Sequence, residues 1–77
     1  MQVIFSAHAE GTLKIRGISK EFVLRTVAKP DDIICPRLNR EIRQKDFGKA
    51  ILRVIGVVEG NAFVVITQYW FSKSKIK

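Results

Sequence analysis

The sequence predicts an α+β fold, with two N-terminal helices packed on one face of an antiparallel sheet of about four strands. Three observations predict it. Two early segments are bracketed by helix punctuation, Ser6 to Gly17 and Ser19 to Pro30. The rest of the chain is rich in the β-branched and aromatic residues that suit a pleated, half-buried surface. The connections between those later segments are short, which makes neighbouring strands antiparallel.

The first helix should begin after Ser6, whose hydroxyl can accept from the free amides of the first turn. It should close near Arg16, with Gly17 free to take the left-handed conformation that ends helices. Its apolar side is thin: Ala9, Leu13 and Ile15. Ser19 caps the second helix, and Glu21 suits its positive start. Phe22, Val23, Thr26 and Val27 then form one stripe facing the core. Pro30 stops this helix and pushes Lys29 out of helical geometry. Asp31 and Asp32 fit a turn.

Strands follow. Ile33 to Cys35 is a short one ended by Pro36. Arg40 to Phe47 alternates charged residues and reads as a solvent-facing strand. Gly48 and Lys49 make a hairpin turn into Ala50 to Val58. Glu59, Gly60 and Asn61 form the next turn, since Gly and Asn accept positive φ. Ala62 to Trp70 is the strongest strand signal in the chain. The expected organisation is one domain over residues 1–71 and a basic tail over 72–77. The sequence contains no internal repeat or low-complexity segment.

The 77 residues carry a net charge of +7, unevenly spread. Residues 37–53 hold six basic side chains against Glu41 and Asp46, while residues 54–71 hold only Glu59. Lys73, Lys75 and Lys77 make the tail basic. A clustered basic surface favours a polyanion, and nucleic acid is the usual one. An acidic protein partner or a merely solvated basic face are the other readings. The apolar start, Val3 to Phe5, is too short for a secretory leader. No run reaches the length of a membrane span, so no membrane partner and a cytoplasmic location are expected. Cys35 and His8 are the lone residues of their types, which excludes an intrachain disulfide and leaves no metal site in view. Cys35 sits in an apolar run and reads as a small buried core residue.

Alternation sorts the strand side chains. Glu41, Arg43 and Lys45 share one side of their strand, and Leu52, Val54 and Val58 share a side of the next. With Leu52 and Val54 under the helices, Arg53 should emerge on the helix-free face, joined there by Arg43 and Lys45. The final strand would add either Thr67 and Tyr69 or Gln68 and Trp70. A basic sheet face with an aromatic residue suits RNA, because rings stack on splayed bases while arginines hold phosphates.

No phosphate loop, dinucleotide fingerprint, zinc-protease motif or paired-cysteine motif is present, and no cofactor is expected. The residues left for chemistry are His8, the arginines and Tyr69. Metal-independent RNA cleavage needs little more: a base for the 2′-hydroxyl proton, cations for the charge on phosphorus, and an acid for the leaving oxygen. Each candidate has a plainer reading. His8 can be a helix-start packing residue, Tyr69 and Trp70 can be core and edge packing, and Arg16 can satisfy helix carbonyls.

The positions Phe5-Ser6-x-His8-Ala9, Arg16-Gly17-Ile18-Ser19, Val23, Pro30-Asp31, Ile33-Ile34 and Val64-Val65-Ile66-Thr67-x-Tyr69 resemble the successive signature positions of a small bacterial and archaeal domain family. That family groups with the RelE/ParE-like toxins, whose superfamily includes the barnase, EndoU and colicin nucleases. The resemblance spans residues 3–70. It implies a RelE-like fold and a toxin-like mRNA endoribonuclease acting alone or with the ribosome, neutralised by a small acidic antitoxin. Under it His8 and Arg16 match the family's polar positions, and Thr67 and Tyr69 match its last strand. One position departs: the family usually carries arginine four residues after the histidine, and here that residue is Thr12.

Taken together, the expected catalytic residues are His8, Arg16, Arg53 and Tyr69, and the expected RNA contacts are Arg40, Arg43, Lys45 and Thr67. The expected partners are RNA or the ribosome, the acidic antitoxin and a second copy of the chain. The alternatives are a non-catalytic RNA- or protein-binding module of the same fold, and a structural protein that pairs its last strand with another chain.

Overall fold

The computed structural model describes residues 2–72, and the basic tail expected beyond Ser72 lies outside the described residues. The elements run β1 (Gln2–Phe5), α1 (Ala7–Arg16), α2 (Lys20–Ala28), β2 (Asp32–Arg37), β3 (Arg40–Asp46), β4 (Ala50–Glu59) and β5 (Ala62–Ser72). The architecture is α+β, with two helices on a five-stranded mixed sheet in the order β1-β5-β4-β3-β2. Strands β2 to β5 form the expected antiparallel meander.

The fifth strand is the difference from expectation. Gln2–Phe5 pairs parallel with Ala62–Val65 at the far edge. Four residues carry too little periodicity to announce a strand, and the pairing joins the two ends of the chain, where no local signal exists.

Both helices are closed by their own caps. Ser6 accepts from the Ala9 amide at 3.1 Å, and Gly17 sits at φ 63° beyond Arg16. Ser19 accepts from the Glu21 amide at 3.1 Å, and Lys29 leaves helical geometry before Pro30. α1 packs on β5 and β1, while α2 packs on β4 and β3. Between helices and sheet lies one core of Ala9, Leu13, Ile18, Val23, Val27, Leu52, Val54, Phe63 and Val65.

Two packing expectations are corrected. Cys35 is exposed, because β2 is an edge strand and all six of its residues lie open to solvent. Pro36 stands within this strand rather than ending it, where an edge tolerates a residue with no N–H to donate. Ile15 is 83% exposed, on the side of α1 away from the sheet.

A bulge in β5 fixes which side chains face where. Ile55 pairs with Thr67, yet its neighbour Gly56 pairs with Val65, so Ile66 is an extra residue. Before it, Phe63 and Val65 face the helices; after it, Gln68 does, and all three are fully buried. Strict alternation would have placed Thr67 and Tyr69 beside Phe63 and Val65 under the helices. The extra residue turns them onto the open face instead.

Candidate functional site

The open face of the sheet holds Arg53 at its β4–β5 end. Arg53 is paired across the sheet with Tyr69 on β5 and Gln44 on β3. Its Nε donates to Gln44 Oε1 at 3.0 Å, and its Nη1 donates to the Tyr69 hydroxyl at 3.3 Å. The guanidinium also lies 4.3 Å from the Phe71 ring centroid. These contacts hold the group in place and leave its remaining N–H groups without an acceptor among the described residues.

A second guanidinium reaches the same tyrosine from the helix layer. Beyond Val65 the outer edge of β5 has no strand beside it, because β1 ends at Phe5. Residues of the helix layer satisfy the edge instead. Ser6 Oγ donates to the Ile66 carbonyl at 3.3 Å, and Arg16 Nη1 donates to the Gln68 carbonyl at 2.8 Å. This places Arg16 Cζ 5.8 Å from the Tyr69 centroid, against 5.9 Å for Arg53. Tyr69 is therefore flanked by two cations, one from α1 and one from β4. Two guanidiniums converging on one aromatic ring can hold a phosphate while the ring takes a base.

His8 lies at the start of α1, two residues after the Ser6 that is tied to Ile66. His8, Thr12 and Arg16 are spaced four apart, so they share one flank of the helix. His8 stands about 12 Å along the axis from Arg16. Its side chain is exposed and makes no hydrogen bond to any described residue.

Thr12 is committed to structure. Its hydroxyl donates to the Ala9 carbonyl at 3.1 Å and accepts from Gln68 Nε2 at 2.7 Å. Gln68 Nε2 also donates to the Ala9 carbonyl at 3.1 Å. This buried set fastens α1 to β5 beside Arg16, and it leaves Gln68 Oε1 without a partner among the described residues. The cation that the resemblance puts at position 12 is absent here, and Arg16 one turn later carries the nearest positive charge on that flank.

The face expected for Arg43 and Lys45 is corrected. Arg43 pairs with Val54 and Lys45 with Leu52, so both lie on the helix side. Arg43 Nη1 donates to the Val27 carbonyl, at 2.6 Å. Its Nη2 meets Glu41 at 2.8 Å, and its Cζ is 4.8 Å from the Phe63 centroid. Lys45 Nζ donates to the Lys29 carbonyl at 3.0 Å. Both cations satisfy the carbonyl end of α2, which the helix dipole makes negative. Arg40 does face the open side, opposite Val57, but about 13 Å along β3 from the Gln44 that touches Arg53. Thr67 lies on the open face opposite Ile55, two residues before Tyr69.

Sequence reasoning missed Phe71 and Gln44 as neighbours of Arg53. Their alternation with Tyr69 and Ile42 was readable, and the cross-strand register that joins them was not. Among the described residues no group of three or more His, Cys, Asp or Glu side chains is placed to hold a metal, and no helix is long and apolar enough to cross a membrane. No protein-family model matches the chain, and no significant match exists among curated proteins or solved structures.

Proposed function

We propose that this chain is an RNA-directed protein of the RelE-like kind, a metal-independent endoribonuclease whose site is the free edge of β5. The observation that carries the reading is the convergence of Arg16 and Arg53 on Tyr69. In this reading the two guanidiniums hold the scissile phosphate and stabilise charge as it builds on the phosphoryl oxygens. His8, on the flank of α1 that ends in Arg16, takes the proton from the 2′-hydroxyl. The 2′-oxygen attacks phosphorus, the bond to the 5′-oxygen breaks, and the Tyr69 hydroxyl supplies the proton to that leaving oxygen. The products are a 2′,3′-cyclic phosphate and a free 5′-hydroxyl. Thr67 borders the same ring and contacts the strand. A small acidic antitoxin would oppose such an activity by covering the two arginines.

One observation favours a second reading, a non-catalytic RNA-binding module. A general base is usually oriented by another group, and His8 has no such partner among the described residues.

A single experiment separates the two. End-labelled single-stranded RNA is incubated with the purified chain, with and without ribosomes, and resolved by length and end chemistry. The nuclease reading expects cyclic-phosphate fragments with the wild type and none with His8→Ala. Intact RNA retained in a salt-sensitive complex would leave the binding module. RNA neither cut nor bound would remove both.

A further inference from the structure

On the other face of β5, next to Tyr69, an aromatic groove opens beneath α2. Phe22, Phe47 and Trp70 meet there, with ring centroids 4.9 Å apart for Phe22–Phe47, 6.0 Å for Phe22–Trp70 and 5.8 Å for Phe47–Trp70. The groove has a volume of about 370 Å³ and is completed by Ala50 and Lys49. The rings brace one another at tilted and edge-on angles, which fixes the walls before anything binds. Lys49 stands on the β3–β4 turn, where the Phe47 amide donates to the Ala50 carbonyl at 3.0 Å. Its ammonium is exposed and has no acceptor among the described residues.

We propose that this groove is a second nucleotide subsite, which takes a base against Phe47 and Trp70 and the adjoining phosphate on Lys49. The inference rests on the RNA reading above for the class of ligand. Two features favour a nucleotide over another occupant. The walls are flat rings rather than aliphatic side chains, and base stacking on rings is tolerant of sequence. A cation at the mouth with no acceptor among the described residues complements a phosphate, which a neutral apolar ligand would not use. Continuity with Tyr69 adds a third. Tyr69 and Trp70 are consecutive on β5 and face opposite sides of the sheet. The β5 edge has no neighbouring strand at this point. A single strand stacked on Tyr69 can therefore turn round the edge and place a following base on Trp70.

Trp70 is the sole tryptophan of the chain, so its emission reports the groove alone. The full chain is titrated with uridine monophosphate and with a single-stranded oligouridylate. Trp70 emission is followed together with the anisotropy of the labelled oligonucleotide. We expect saturable quenching by both ligands. Lys49→Glu, on an exposed turn, should weaken it roughly tenfold, the scale of one charge-assisted phosphate contact. Ala50→Leu, which fills the groove, should abolish it while circular dichroism shows the fold retained. Arg53→Ala should weaken the oligonucleotide and leave quenching by the mononucleotide unchanged. Oligonucleotide binding that depends on Arg53 with no change in Trp70 emission would overturn the subsite and spare the proposed function. Quenching by dodecanoate and not by the nucleotide would also overturn it, assigning the groove to an apolar anion. Mononucleotide quenching that requires Lys49, in a chain that shows no Arg53-dependent RNA binding, would support the groove and overturn the reading of the β5 edge.

Discussion

Arg53 Nη1 donates to the Tyr69 hydroxyl at 3.3 Å across the β4–β5 pair, and this contact exists because Ile66 is an extra residue in β5. Without it Tyr69 would share the parity of Phe63 and Val65 and point into the core. The bulge thus does two things at once. It seals the core with Gln68, and it delivers a tyrosine to the open face between two arginines.

The first prediction concerns that pair. Arg53→Ala should lower the affinity for single-stranded RNA by roughly tenfold, the loss expected for one charge-assisted phosphate contact. Tyr69→Phe keeps the ring and should bind nearly as well, while Tyr69→Ala should lose a further factor of about ten through stacking. Fluorescence anisotropy on all three variants checks the order. Equal losses for Tyr69→Phe and Tyr69→Ala would place the contribution in the hydroxyl rather than the ring.

Arg43 should behave in the opposite way. It is a mostly buried cation held by Glu41, the Val27 carbonyl and the Phe63 ring. Arg43→Met leaves the Glu41 carboxylate partly buried without its partner and should cost about 2 kcal/mol of stability. RNA affinity of the folded variant should be unchanged. Urea unfolding alongside anisotropy measures both, and a large loss of affinity at full stability would return Arg43 to the binding surface.

Gly56 is required by packing. A methyl group there would lie 2.5 Å from Phe63 Cε2 and 2.6 Å from the Val64 carbonyl oxygen. Gly56→Ala should therefore destabilise the chain by about 1–3 kcal/mol. Thermal unfolding followed by circular dichroism should show a fall in midpoint of about 4–8 °C for each kcal/mol. An unchanged midpoint would mean that the Phe63 ring can move aside without loss.

The Thr12–Gln68 pair should be non-additive. Thr12→Val removes one of the two acceptors of Gln68 Nε2 and should cost about 1 kcal/mol. The double variant Thr12→Val, Gln68→Leu replaces both polar side chains by apolar groups and should recover much of that loss. A double-mutant cycle in urea tests the coupling, and strict additivity would show that the two side chains act independently.

What the sequence made legible, and what it hid, follows the range of each signal. Helix ends were readable because caps are local: Ser6, Gly17, Ser19 and Pro30 act within one turn of themselves. β4 and β5 were readable from β-branched residues. β1 was hidden because it is four residues long and its pairing spans the chain. The faces of Arg43 and Lys45 were hidden because alternation sorts side chains into two sets without saying which set lies under the helices; the register of Arg43 against Val54 decides it. The candidate site was half legible. Arg16, Arg53 and Tyr69 were all named from sequence and do converge, whereas the means of convergence, a bulge at Ile66 and an arginine reaching round a free edge, leaves no local mark. His8 remains on the same helix flank as Arg16 without touching the cluster.

The most direct test of the central claim, that Arg16 and Arg53 form the phosphate-binding part of an RNA site at the β5 edge, is the salt dependence of RNA affinity. Log affinity against log salt is measured for the wild type and for Arg16→Ala, Arg53→Ala together. Each phosphate contact on a single strand contributes about 0.7 to the slope. The double variant should therefore bind more weakly and lose about 1.4 from the slope. An unchanged slope in a folded double variant would contradict the claim and place the binding surface elsewhere on the molecule.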